Sequence, residues 1–104
     1  MNFYTEPTGY EKTILSDLQG AWENLREVVV KNAGFEEWDR ILFHIDEAMS
    51  WESVRNIERM HSTFMVIHNI AAKAEIPKSL AHWIQEVSLI LDNVLKRMAN
   101  GERL

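Results

Sequence analysis

The segment VRNIERMHSTFMVIHNI, residues 54–70, is the most apolar part of the chain and carries its clearest periodicity. Apolar residues of this segment and its continuation recur at alternating spacings of three and four: Ile57, Met60, Phe64, Ile67, Ala71 and Ala74. This heptad spacing predicts a helix that packs along its length against other helices. His61 and His68 lie at the edge of the seam, one heptad apart. The segment is therefore either a site on a helix or a core helix that tolerates two imidazoles.

The rest of the chain repeats this apolar periodicity. We predict a short extended tail over residues 1–9 and then four helices, over residues 10–31, 35–49, 51–74 and 78–99. Gly34 suits the left-handed end of the first helix, Ser50 the N-cap of the third, and Pro77 the first turn of the fourth. Because no Gly or Pro separates the second and third helices, one bent rod is an alternative. The predicted fold is all-α, a single-domain, small antiparallel four-helix bundle.

Composition narrows the function classes. The chain has 104 residues, no cysteine and a formal net charge of -5. One domain is the natural expectation at this length, and the lack of cysteine excludes disulfides and thiolate zinc sites and fits a reducing compartment. The first residues show neither a basic start nor an apolar run, and no stretch has the length of a membrane span. We expect a cytoplasmic protein that binds no membrane and, because phosphates attract basic surfaces, does not bind nucleic acid directly.

The histidines offer only partial metal-ligand patterns. Glu58 and His61 form one E-x-x-H, whereas di-iron bundles use that spacing twice, with further inward carboxylates. His61 and His68 are two helical turns apart, roughly 10 Å along the axis, which is too far to share one ion. His82 and Glu86 are an i,i+4 pair, but His82 projects onto the polar face of its helix. We expect no metal and no cofactor, and a metal-binding bundle is kept as an alternative.

The stretch RNIERMH, from Arg55 to His61, resembles the active-site motif of the HEPN ribonuclease and toxin families. Those are small all-helical domains that pair into dimers. The resemblance implies that Arg55 would hold the RNA phosphate, that His61 would serve acid–base chemistry, and that Asn56 would be the polar residue after the arginine. On a regular helix six residues rotate the chain by about 240°, so Arg55 and His61 share a face only if the helix begins later.

Several apolar residues fall off the predicted core stripes. Phe43 projects onto the polar face of the second helix, Leu89 lies opposite the seam of the fourth, and Val66 lies among basic residues of the third with Met65 at its boundary. Trp51 lies near a helix start, where it either closes the bundle end or faces a partner. Several such residues on one small domain predict a docking surface, because Phe, Met and Trp are enriched at interfaces.

The third helix is apolar over more than half of its circumference between Phe64 and Ala72, which predicts either a central helix or a homodimer that pairs through it. No other catalytic pattern stands out in the sequence. We therefore predict a small acidic protein-binding module that acts as a regulator, inhibitor or accessory subunit. An acidic helical protein can also occupy a basic nucleic-acid site, so an inhibitor of a nucleic-acid enzyme is one specific version. The HEPN-like enzyme is the first alternative.

Overall fold

The computed structural model describes residues 14–102, and within them the chain forms a bundle of four helices. The helices are α1 (Ile14–Lys31), α2 (Trp38–Ser53), α3 (Ile57–Ala72) and α4 (Lys78–Ala99). Each packs on its neighbours in the chain, and α4 closes the ring by packing on α1, so that α1 and α3 stand diagonally opposite each other. The all-α bundle is confirmed. The predicted tail and the first residues of the predicted first helix lie outside the described residues.

The α1–α2 connection contains two residues with positive φ. Gly34 has a φ of 108°, as predicted for a helix stop, and Glu37 has a φ of 68° immediately before α2. The second helix was predicted to begin at residue 35, but residues 35–37 form turns and the helix begins at Trp38. The difference arises because Glu37 takes a left-handed conformation, which a helix cannot include.

The junction between α2 and α3 differs most from the sequence prediction. The predicted N-cap Ser50 lies inside α2, where its hydroxyl donates a hydrogen bond to the carbonyl of Glu47 at 2.6 Å. Arg55 breaks the chain with a φ of 57°, and Asn56 caps α3 because its side-chain oxygen accepts from the N–H of Arg59 at 3.1 Å. The prediction of a helix from residue 51 is therefore wrong, and so is the bent rod.

The core is a continuous apolar layer between the four helices. Trp22 of α1 crosses it diagonally: its indole N–H donates to the sulfur of Met60 at 3.2 Å, and its ring meets Phe64 edge-on at 6.0 Å. Both partners belong to α3, so one side chain joins the two diagonal helices. The other fully buried large side chains include Leu18, Leu25, Ile41, Ile45, Ile67, Leu80 and Leu91.

Surface contacts join neighbouring elements. Arg26 of α1 donates a hydrogen bond to the carboxylate of Asp46 on α2 at 2.7 Å. This hydrogen bond, together with the charge of Asp46, raises the pKa of the Arg26 guanidinium, and the small cost of burial opposes the rise. Glu36 accepts from the backbone N–H of Glu75 at 3.0 Å and so ties the α1–α2 connection to the α3–α4 connection.

The last helix has the predicted bounds. Pro77 precedes α4 with a φ of -63°, and Gly101 follows it with a φ of 83°. The third helix ends at Ala72, slightly before its predicted end, and residues 73–77 lead into α4. Within residues 14–102, none of the helices combines the length and the apolar character needed to cross a lipid bilayer.

Candidate interaction surfaces

The apolar residues that the helical projection places off the core stripes are exposed. Phe43 on α2 is 66% exposed and Leu89 on α4 is 57% exposed, while Met65 and Val66 on α3 are each 40% exposed. Each of them therefore leaves a large part of its surface open to solvent. They lie on two different sides of α3: Val66 lines a hollow shared with α2, whereas Leu89 lines a groove shared by α3 and α4.

The hollow between α2 and α3 has a volume of ≈ 350 Å³ and is lined by both apolar and charged side chains. Val66, Ile70 and Ala74 supply the apolar part, and we call the charged lining side chains its charged rim: Glu36, Glu37, Arg40 and Lys73. Arg40 forms an ion pair with Glu37, one turn before it. Protein–protein interfaces likewise combine apolar side chains with polar and charged ones.

Phe43 stands one turn beyond Arg40 on the same side of α2. Its ring meets the ring of His44 edge-on at 5.2 Å, and the Nδ1 of His44 lies 3.0 Å from the carboxylate of Glu47. The Phe43 ring therefore contacts His44 and leaves most of its remaining surface exposed to solvent. We call Phe43, Val66 and Ile70, with the charged rim of the hollow, the α2–α3 face.

The groove between α3 and α4 has a volume of ≈ 390 Å³ and no Asp, Glu, Lys or Arg among its lining residues. Its walls include small residues from both helices, Ala71 and Ala72 on α3 and Ala81 and Ser88 on α4, with Leu89 at the edge. These two helices are the most loosely packed of the neighbouring pairs. The groove is thus open because small side chains leave the space between α3 and α4 unfilled.

Trp51, the remaining predicted binding residue, is less exposed than the four apolar residues above. It is half-buried at the end of α2 and packs against the core. The guanidinium of Arg59 lies 5.4 Å from the centre of its ring, in a cation–π arrangement. Trp51 therefore helps to close the α2–α3 end of the bundle, and only part of its surface is open to a partner.

The residues of the RNIERMH motif have separate local roles in the structure. Arg55 is exposed in the α2–α3 junction and lines a hollow of ≈ 190 Å³ with Leu15, Ile57, Met98 and Glu102. Asn56 is occupied as the cap of α3. His61 is half-buried on the first turns of α3 and does not line that hollow. Because α3 begins at Ile57, Arg55 is not held on the helix that carries His61, and its direction is set by the junction.

The histidines show no shared site within the described chain. No group of three or more His, Asp or Glu side chains in residues 14–102 is placed to hold a metal ion. His44 faces Glu47, His68 lies against Phe64 with ring centres 6.2 Å apart, and His82 meets Trp83 edge-on at 5.1 Å.

Two exposed apolar residues near one end of the bundle, Val54 and Met98, were not predicted from the sequence. Val54 is exposed because it belongs to the junction rather than to α3, and Met98 is exposed although its spacing places it on the seam of α4. The signal for Val54 was present, because Asn56 ahead of the apolar seam is a favoured N-cap residue. Met98 had no such signal, since its exposure depends on where the neighbouring helices end.

No family model, no curated protein and no solved structure matches the chain.

Proposed function

We propose that the chain is a protein-binding module that acts as a regulator, inhibitor or accessory subunit, and that it binds its partner on the α2–α3 face. The observation that carries this proposal is Phe43, an aromatic ring 66% exposed one turn from Arg40, which lines the α2–α3 hollow. Burying a Phe side chain contributes about 2–3 kcal/mol, and large aromatic anchors dominate the binding energy of many interfaces. We place this binding in the cytoplasm, which the absence of cysteine supports.

The charges around the α2–α3 face indicate what kind of partner fits. On and beside this face the acidic residues Glu36, Glu37, Asp39 and Glu47 outnumber the basic residues Arg40 and Lys73, and the chain as a whole carries a formal charge of -5. A partner with an apolar pocket for Phe43 and a basic rim would complement this pattern and associate faster at low salt. Basic surfaces of this kind occur on proteins that bind nucleic acid, so an inhibitor that covers such a site is the specific version of the proposal.

The substitution Phe43→Asp tests the proposal. We expect it to lower the affinity for the partner by at least about tenfold while helicity and the thermal unfolding midpoint stay unchanged, because an exposed ring contributes little to the fold. Val30→Asp is the matched control, since Val30 is also exposed but lies on α1, diagonally opposite α3. Loss of the folded state in Phe43→Asp would make Phe43 a structural residue and remove the proposal's basis.

A ribonuclease of the HEPN type is a second proposal, supported by the late start of α3 at Ile57, which frees Arg55 from the rotation of that helix. On this proposal His61→Gln abolishes RNA cleavage without unfolding the chain, whereas His82→Gln, an exposed histidine on α4, leaves cleavage intact. A wild-type protein that cleaves no RNA at any concentration would rule the proposal out.

A further inference from the structure

The outer surface of α4 carries a pattern of residues that its own chain does not use. Lys78, Gln85 and Asp92 are spaced by one heptad each and share one side of the helix, with Ala81 and Leu89 between them. Gln85, Ala81 and Leu89 line the α3–α4 groove. The two remaining residues of the pattern are a cation, Lys78, and an anion, Asp92. Lys78 and Asp92 are both exposed, and neither forms an ion pair within the part of the chain that the structure describes.

The position of Lys78 is unfavourable for the helix itself. It is the first residue of α4, where the N–H groups of the helix carry partial positive charge and an acidic residue would be favoured. No acidic residue occupies the first turn of α4. At the other end of the pattern, Lys96 stands one turn beyond Asp92 but makes no ion pair with it. A contact outside the bundle would account for both charges.

The charges on this side of α4 are complementary to those on a second α4 that runs in the opposite direction. Gln85 lies midway between Lys78 and Asp92, so in an antiparallel pair of α4 helices centred on Gln85 each Lys78 meets the Asp92 of the other copy. The same register places Leu89 of one copy over residues 78, 81, 82 and 85 of the other. These positions are related as i, i+3, i+4 and i+7, the spacing of the hole that receives a knob in helix packing.

We propose that a second copy of this chain docks on α4 along the α3–α4 groove, antiparallel and centred on Gln85, with two Lys78–Asp92 ion pairs and with each Leu89 packed on the Ala81 of the other copy. The small residues of the groove, Ala72, Ala81 and Ser88, let the second α4 approach closely, and the lining contains no Asp, Glu, Lys or Arg. Leu89, 57% exposed in the single chain, becomes covered. The pair leaves Phe43 on α2 untouched, so it is independent of the proposed partner.

The test is a charge exchange measured by sedimentation equilibrium on the full chain, from about 1 µM to about 1 mM. We expect the wild type to form dimers. In a dimer of Lys78→Asp, carboxylates meet carboxylates at both contacts, and in a dimer of Asp92→Lys, ammonium groups meet ammonium groups. Because like charges repel, each single variant is expected to dissociate at least about tenfold more readily than the wild type. The double variant Lys78→Asp/Asp92→Lys restores both ion pairs and therefore restores the dimer.

A mixture of the two single variants makes the test specific. One copy then carries two carboxylates and the other two ammonium groups at the facing positions, so the mixture forms a heterodimer more readily than either variant alone forms a homodimer. Folding is not at issue, because both residues are exposed and both variants keep the helical circular dichroism of the wild type. A wild type that is monomeric throughout would overturn the proposal, including the case in which a different protein occupies the groove. A wild-type dimer that is weakened by neither Lys78→Asp nor Asp92→Lys would overturn it equally.

The outcome is separable from that of the proposed function. Phe43→Asp is expected to dimerise like the wild type, and Leu89→Asp is expected to become monomeric while it still binds a partner at the α2–α3 face. Failure of the charge exchange would therefore leave the Phe43 experiment unaffected.

Discussion

Leu89 and Leu91 are the same residue type on the same helix in opposite surroundings. Leu91 is 0% exposed in the core, whereas Leu89 is 57% exposed at the edge of the α3–α4 groove. We predict that Leu91→Ala lowers the free energy of unfolding by about 2–5 kcal/mol, since it leaves a cavity, and that Leu89→Ala changes it by less than about 0.5 kcal/mol in dilute solution. Urea titrations of both variants measure this. A large loss in Leu89→Ala would place that side chain in the core.

Two glycines permit the same substitution with opposite expected effects. Gly20 lies inside α1 and a methyl group added there would meet no atom within 4 Å, whereas Gly34 has equal space but a φ of 108°. We predict that Gly20→Ala stabilises the fold by about 0.5–1 kcal/mol, because alanine loses less backbone freedom on folding. Gly34→Ala is expected to destabilise it by about 1 kcal/mol or more, because alanine avoids that conformation. Thermal unfolding of the two variants distinguishes them; equal shifts would contradict this description of the α1–α2 connection.

The α2–α3 junction can be tested by replacing two arginines, four residues apart, with glycine. Arg55 has a φ of 57° in the junction, whereas Arg59 lies in α3 and stacks on Trp51. We predict that Arg55→Gly is neutral or stabilises by up to about 1 kcal/mol, because glycine adopts that conformation without strain. Arg59→Gly is expected to cost about 1–2 kcal/mol through lost helix propensity and the lost cation–π contact. One continuous helix through residue 55 would instead make both variants unstable.

The elements that were predicted well are those whose ends carry strong local signals. The bounds of α4 follow from Pro77 and Gly101, and the seam of α3 follows from apolar spacing. The start of α2 and the α2–α3 junction were not predicted correctly, because Glu37 and Arg55 adopt the left-handed conformation. Neither residue type favours that conformation, so the sequence does not predict it. The surrounding packing imposes these conformations, and packing is not visible in a short stretch of sequence.

For the molecule as a whole, the sequence could predict which side chains the bundle leaves exposed but not the shapes beside them. Helical projection places Phe43 and Leu89 off the core stripes, and that step needs only helical geometry. The α2–α3 hollow and the α3–α4 groove depend on the spacing between helices, which follows from residue sizes at their contacts. Both sides of α3 are thus open, one beside a charged rim and one beside small uncharged residues, and this is why two different occupants are proposed.

The claim that the α2–α3 face binds another protein is tested by measuring affinity with purified components. The partner is the protein that the wild-type chain captures from a cell extract. Wild type, Phe43→Asp and Val30→Asp would be titrated under identical salt conditions. We predict that wild type and Val30→Asp bind alike and that Phe43→Asp binds at least about tenfold more weakly. Equal affinity for all three, or no protein that binds the wild type, would contradict the claim.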